Sequence, residues 1–210
     1  MPVVDTVSLA PTNRMLDSPL RIAVIDADAA RASIIADGLH DAGHRAVTVI
    51  AETRGLLRRL LELEPDVIFI NLENPNRDVL EQMFQVSRTV QRPIAMFVDR
   101  SDTAMIEAAV DAGVSAYVVD GLKKERVKPI LDMAISRFNA FSRLREELDQ
   151  ARQALDERKV IDRAKGILMK SRGIDEEEAY TLMRKAAMSE SRRLAEVAQS
   201  VVTAAKLIGG

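Results

Sequence analysis

The chain has 210 residues, with 30 basic and 32 acidic side chains and a net charge of -2. That balance, with a pI near 5.8, excludes a uniformly basic nucleic-acid coat protein. The absence of cysteine excludes disulfides, thiolate catalysis and Cys-ligated zinc. Apolar residues make up 47%, enough core for one large domain or two small ones. The opening stretch carries Pro2, Pro11 and Pro19 and no basic region before an apolar run, so it does not read as a secretory signal. No stretch approaches the length of a membrane span. A cytoplasmic protein is expected, with residues 1–19 disordered.

Five short apolar runs follow in order: 21–26 (RIAVID), 45–50 (RAVTVI), 66–71 (DVIFIN), 93–98 (PIAMFV) and 115–119 (SAYVV). They are rich in Val and Ile and lack polar alternation, as strands buried on both faces do. Helical stretches separate them near 29–42, 54–63, 77–90 and 103–112, with Gly43 and Gly113 where helix ends fall. Strand–helix alternation predicts a flavodoxin-like, doubly wound α/β domain over residues 20–122, with its site at the carboxyl ends of the strands.

From Lys123 the strand signal stops. Pro129 is expected near a helix start, where its missing N–H is tolerated. Leu131, Ala134, Phe138, Phe141, Leu144, Leu148, Ala151 and Leu155 then recur every three or four residues. The two consecutive threes at Phe138, Phe141 and Leu144 resemble a stammer in a heptad repeat. The pattern predicts a linker helix over 123–157 that pairs with a second copy as a coiled coil; the alternative is a helix folded back on its own domain.

Residues 158–208 read as three helices. Between Arg158 and Arg172 stand six basic residues against Asp162 alone. At 100° per residue, Val160, Ile161, Ala164, Ile167 and Leu168 form an apolar stripe. Lys159, Arg163, Gly166 and Lys170 border it on one side, and Arg158, Lys165 and Arg172 on the other. Gly166 inside a helix costs about 1 kcal/mol relative to alanine, which suggests close approach of another backbone. Gly173 stops the helix. Asp175 with Glu178 forms a D-x-x-E capping box, and Glu176, Glu177 and Glu178 suit the positive end of the next helix. In that helix Ala179, Leu182, Met183 and Ala186 face inward. Tyr180 one turn from Arg184 can stack on a base and grip a phosphate, or else Tyr180 packs at the bundle edge. The last helix, near 192–207, turns Leu194, Val197, Ala198, Val201 and Ala205 inward.

The strand ends carry a degenerate pocket. Asp26 closes the first run, with Ala27 and Asp28 after it; Asn71 closes the third, Val98 the fourth, and Asp120 follows the fifth. This order resembles a response-regulator receiver. Such a domain has paired acids for a divalent cation, a phosphorylatable Asp, a hydroxyl residue and a Lys at these places. A carboxamide cannot form an acyl phosphate, Val98 has no hydroxyl, and Asp120 repels the group that a lysine attracts. The pocket therefore predicts a pseudo-receiver without phosphorylation. Asp26 and Asp28 are then either a weakened cation site or loop carboxylates and a helix N-cap.

The C-terminal helices resemble the ANTAR domain of AmiR/NasT-type transcription antiterminators. The resemblance rests on 161–169 (IDRAKGILM), 178–180 (EAY), 182–187 (LMRKAA) and 194–198 (LAEVA). The receiver-like half resembles the NasT type at 72–79 (LENPNRDV) and 95–102 (AMFVDRSD). The resemblance implies binding to hairpins of a nascent leader mRNA by a dimer. It also implies a NasS-like nitrate/nitrite sensor protein that holds the regulator inactive. The RNA residues it implies are Arg163, Lys165, Gly166, Met169, Lys170, Tyr180 and Arg184. Of these, Arg163 and Lys165 would meet phosphates or bases, Tyr180 would stack, and Met169 would serve either RNA or core. No metal or cofactor is implied. A DNA-binding regulator with its last helix in a major groove is the alternative, although Ala195, Glu196, Gln199, Ser200 and Thr203 offer little positive charge there. A protein-interaction scaffold is the other. An enzyme is not expected, since His40 and His44 are the only histidines and neither has a nucleophile or metal-ligand spacing near it.

Overall fold

A computed structural model describes residues 20–73 and 77–208; the disorder expected for residues 1–19 lies outside them. The apolar runs become β1 (Arg21–Ile25), β2 (Ala46–Ile50), β3 (Val67–Leu72), β4 (Ile94–Val98) and β5 (Ala116–Val119). The stretches between them become α1 (Ala29–Asp41), α2 (Leu56–Leu63), α3 (Arg77–Val90) and α4 (Thr103–Asp111). Then follow α5 (Lys124–Arg172), α6 (Glu176–Ser189) and α7 (Leu194–Ile208).

All strand pairs are parallel and the order is β2-β1-β3-β4-β5. The direction of winding reverses between β1 and β3, which opens a crevice at their carboxyl ends. Register sets Ile25 opposite Ile70, so Asp26 and Asn71 emerge side by side at that crevice.

Two apolar layers sandwich the sheet. Leu56, Leu60, Leu80, Met83 and Ala109 of α2, α3 and α4 cover one face. Ala32, Ile35 and Leu39 of α1, with Val127, Leu131 and Ala134 of α5, cover the other. β1, β3 and β4 bury both faces as expected, but the two edge strands, β2 and β5, do not: Val119 of β5 is exposed. Ala46, Thr48 and Val49 are exposed, because β2 ends the sheet with one neighbour and incomplete helix cover. Its apolar composition therefore overstated its burial.

Contacts divide the chain into two units, Met1–Ala140 and Phe141–Gly210. The boundary falls inside α5, within the segment 123–157. Leu131 and Ala134 are fully buried against the sheet, so the first turns of α5 belong to the α/β unit and do not extend a coiled-coil seam. The phase change at Phe138 marks where the apolar stripe leaves the sheet. Pro129 is the sixth residue of α5, not its first, because Val127 and Leu131 draw the preceding residues into the helix. The helix forgoes one backbone hydrogen bond there.

Gly38 sits where α1 meets α5. A Cβ added there would stand 2.7 Å from Val127 Cβ and 2.9 Å from the Lys124 carbonyl oxygen. Backbone cannot yield as a side-chain tip can. Gly38→Ala should cost a net of about 1 kcal/mol, since overpacking of about 2 kcal/mol outweighs the helix-propensity gain of about 1 kcal/mol. A lowered urea midpoint at unchanged m-value checks this.

In the second unit Ala164 and Leu168 of α5, Ala179, Met183 and Ala187 of α6, and Val197, Ala198 and Val202 of α7 form one core. Gly173 (φ 67) stops α5 in the left-handed region that favours glycine. The expected capping box is formed: Asp175 Oδ1 accepts from Glu178 N at 2.8 Å, and Glu178 Oε2 accepts from Asp175 N at 3.2 Å.

Candidate nucleic-acid interface

The strand-end pocket holds an internal ion-pair network. Asp26 is buried, and its two oxygens have separate partners. Asn71 Nδ2 donates to Asp26 Oδ2 at 2.6 Å, and the Asp28 amide donates to Asp26 Oδ1 at 2.8 Å. Arg31, in the first turn of α1, reaches Asp26 Oδ1 at 3.4 Å and also pairs with Glu73 after β3. Hydrogen bonding to Glu73, with Asp26 behind it, raises the Arg31 pKa above its already high range. Arg31 thus supplies the positive charge beside the acids. Asp28 is the N-cap of α1, accepting from the Ala30 and Arg31 amides, and these bonds lower its pKa. Of the two readings for Asp28, the helix N-cap is the one the geometry supports. Val98 is buried at the end of β4. Asp120 is exposed at φ 47, its amide donating to the Val98 carbonyl. Sequence reasoning missed Arg31 and Glu73. The available signal was a basic residue in the first turn of α1, the end of a helix that disfavours positive charge.

On the helical unit, burial of Ala164 and Leu168 turns the opposite side of α5 outward. Arg163, Gly166, Met169 and Lys170 are all exposed there. Among the described residues no ion pair engages Arg163, Lys170 or Arg184. Lys159 is held by Asp156 at 3.2 Å. Gly166 has nothing within 4 Å of an added Cβ, so no backbone of this chain explains the glycine. On α6 Tyr180 and Arg184 lie one turn apart and exposed, beside the buried Ala179–Met183–Ala187 stripe.

Lys165 is placed differently from the other candidates. Its side chain is only 16% exposed, and Nζ sits 2.7 Å from Asp162 Oδ1 and 2.6 Å from Glu176 Oε1. Hydrogen bonding to Asp162, then to Glu176, raises its pKa, and the Asp162 pKa is lowered in return. The lysine clasps α5 to the acidic first turn of α6. A hollow of about 550 Å³ in this unit is lined by Arg192, Gln199, Thr203 and neighbours on the outer side of α7 and includes none of the candidates.

Residues 149–202 match the family model of the ANTAR domain. The chain carries an ANTAR domain. The match spans the exposed row of α5, the Tyr180–Arg184 pair on α6 and most of α7. Outside the ANTAR domain, the α/β unit has the receiver fold. It is similar to a response-regulator receiver domain protein of Methanospirillum hungatei at TM-score 0.51 and 14% identity, covering 59% of this chain and 98% of that one. Both halves align with the transcriptional regulatory protein PdtaR of Mycobacterium tuberculosis, 27% identical over 88% of this chain and 90% of that protein. The nitrate regulatory protein of Klebsiella oxytoca is 34% identical over 76 residues, 36% of this chain and 19% of that protein. Among the described residues no helix is long and apolar enough to cross a membrane.

Proposed function

We propose that the chain is a cytoplasmic transcription antiterminator whose ANTAR domain binds hairpins of nascent leader mRNA. The observation that carries this is the pair of unengaged cations, Arg163 and Lys170, on an exposed row with Gly166 between them. A phosphate backbone is what such a row fits: point charges for the anions and a notch for close approach. Tyr180 stacks on an unpaired base while Arg184 holds an adjacent phosphate. Met169 lies at the margin of the row. Lys165 acts as a positioning residue through its clasp to Glu176. Control comes from a NasS-like nitrate/nitrite sensor protein rather than from phosphate. Asn71, Val98 and Asp120 cannot perform or retain phosphorylation, and Arg31 occupies the electrostatic role of a bound cation. Regulation of nitrate assimilation genes is supported by the partial likeness to the Klebsiella protein. A homodimer through α5 presents one ANTAR domain to each of two hairpins.

A mobility-shift assay with leader-RNA hairpins and matching duplex DNA tests this. The RNA should shift and the DNA should not. Equal binding of both favours the DNA-binding reading, and binding of neither favours a protein scaffold. Arg163→Ala and Arg184→Ala should each weaken hairpin binding about threefold to fivefold, as the loss of one phosphate contact does, with no change in unfolding midpoint. Incubation with a small phosphodonor and Mg²⁺ should leave the protein mass unchanged, and an adduct at Asp26 or Asp28 would overturn phosphate-independent control.

A further inference from the structure

The exposed row of candidate RNA cations continues past the three-helix core. At 100° per residue, Arg145, Arg152, Lys159, Arg163 and Lys170 fall within about 40° of one line on α5. All five are exposed. At about 1.5 Å per residue the line runs roughly 37 Å, about one turn of a nucleic-acid duplex. Two acids border it, Asp149 and Asp156, and Asp156 is already held by Lys159 at 3.2 Å. Five cations against two acids leave the strip positive. The first α5 residue packed in the apolar core of this unit is Val160, so packing does not account for Arg145 and Arg152. Among the described residues, no ion pair engages either of them.

The two ends of the row offer different chemistry. α6 folds back on α5 where Ala179 and Met183 share a core with Ala164 and Leu168. Tyr180, beside Ala179, therefore belongs to the Arg163–Lys170 end. That end has an aromatic face for an unpaired base and, at Gly166, room for close approach. Arg152 stands about 18 Å farther along the helix than Ala164, and Arg145 about 29 Å. Between Arg145 and Lys159 there is no aromatic residue, so this end supplies charge without a stacking surface. An RNA hairpin has the same polarity. Its loop presents unpaired bases, and its stem is a rod of phosphates whose major groove is too narrow for side chains to read. Backbone contacts hold such a rod.

We infer that the stem of a bound hairpin lies along α5 from Lys159 toward Arg145, where Arg152 and Arg145 hold its phosphates while the loop sits at Gly166, Tyr180 and Arg184. This rests on the hairpin binding proposed above. Two hairpins with one leader loop, on stems of about four and about twelve base pairs, test it. At about 3.4 Å per pair the short stem ends before Arg152 and the long one passes Arg145. The full-length protein should bind the long stem about tenfold more tightly. Arg145→Ala combined with Arg152→Ala should remove that difference. It should also lower the salt slope of long-stem binding by about two, one for each phosphate contact. Changing the stem sequence at constant length should leave affinity as it was, since phosphate contacts carry no base information. Equal affinity of the parent for both stems, an equal loss on both in the double variant, or affinity that follows stem sequence overturns the inference and leaves loop recognition standing. Sedimentation of the double variant should match the parent at the same concentration; a weakened dimer would assign the two arginines to subunit pairing and also overturn it. A parent that shifts neither hairpin overturns the hairpin reading and this inference together.

Discussion

Gly166→Ala should make the protein more stable and bind its RNA at least tenfold less tightly. The two signs come from one geometry. Alanine in a helix interior is better than glycine by about 1 kcal/mol, and here a Cβ meets nothing within 4 Å. The folded chain therefore gains with no clash, and the urea midpoint rises. Outside the chain the same methyl stands on the exposed row between Arg163 and Lys170. A phosphate backbone drawn in by those cations would be pushed away from both, so more than one contact weakens at once. A tenfold loss corresponds to about 1.4 kcal/mol, the scale of one or two weakened charge-assisted contacts. A variant that gains stability and binds the hairpin as before would show that the glycine is merely tolerated and that the RNA face lies elsewhere.

Asn71→Asp, which restores the residue type of a working receiver, should destabilise this one and should not restore phosphorylation. Asn71 donates to Asp26 at 2.6 Å with both groups buried. A second carboxylate there replaces a hydrogen bond with like charges, at a cost of about 2–3 kcal/mol at neutral pH. The pair relieves the repulsion by taking up a proton, so one carboxyl of the folded variant has a raised pKa. A raised pKa contributes stability below the unfolded value that is lost as pH rises through the folded one. The deficit relative to the parent should therefore be small near pH 4–5 and full at about pH 7. Urea midpoints at both pH values check this, and an equal deficit at both would remove like-charge repulsion as the cause. A small phosphodonor should still leave no adduct, because Val98 offers no hydroxyl and Asp120 no ammonium group.

The parallel sheet and three-helix unit were legible because their apolar spacings repeat with the strand and helix periods. Asp26 and Asn71 could be paired from strand order alone, since both end neighbouring strands. Arg31 could not: its partners Asp26 and Glu73 lie on different elements, and only the fold brings them together. Lys165 illustrates the reverse problem. Its charge and motif position suit RNA, but Glu176, eleven residues on, returns across the Gly173 turn and engages it. The stripe on α5 gave a correct period and no sign of what covers it. Leu131 and Leu144 look alike in sequence, and only the sheet beside the first tells them apart.

The incompletely covered strand β2 affects how these proteins can be measured. Its outer edge has no neighbour among the described residues. Val47, Thr48 and Val49 form a β-prone run with no proline or charge inside it. Such an edge offers unpaired amides and carbonyls to any strand released from another molecule. Heating supplies those strands as β-rich segments come loose, so thermal unfolding of this chain should end in aggregates rather than in a reversible unfolded state. Stability differences between variants therefore belong to denaturant titrations, in which released segments stay solvated.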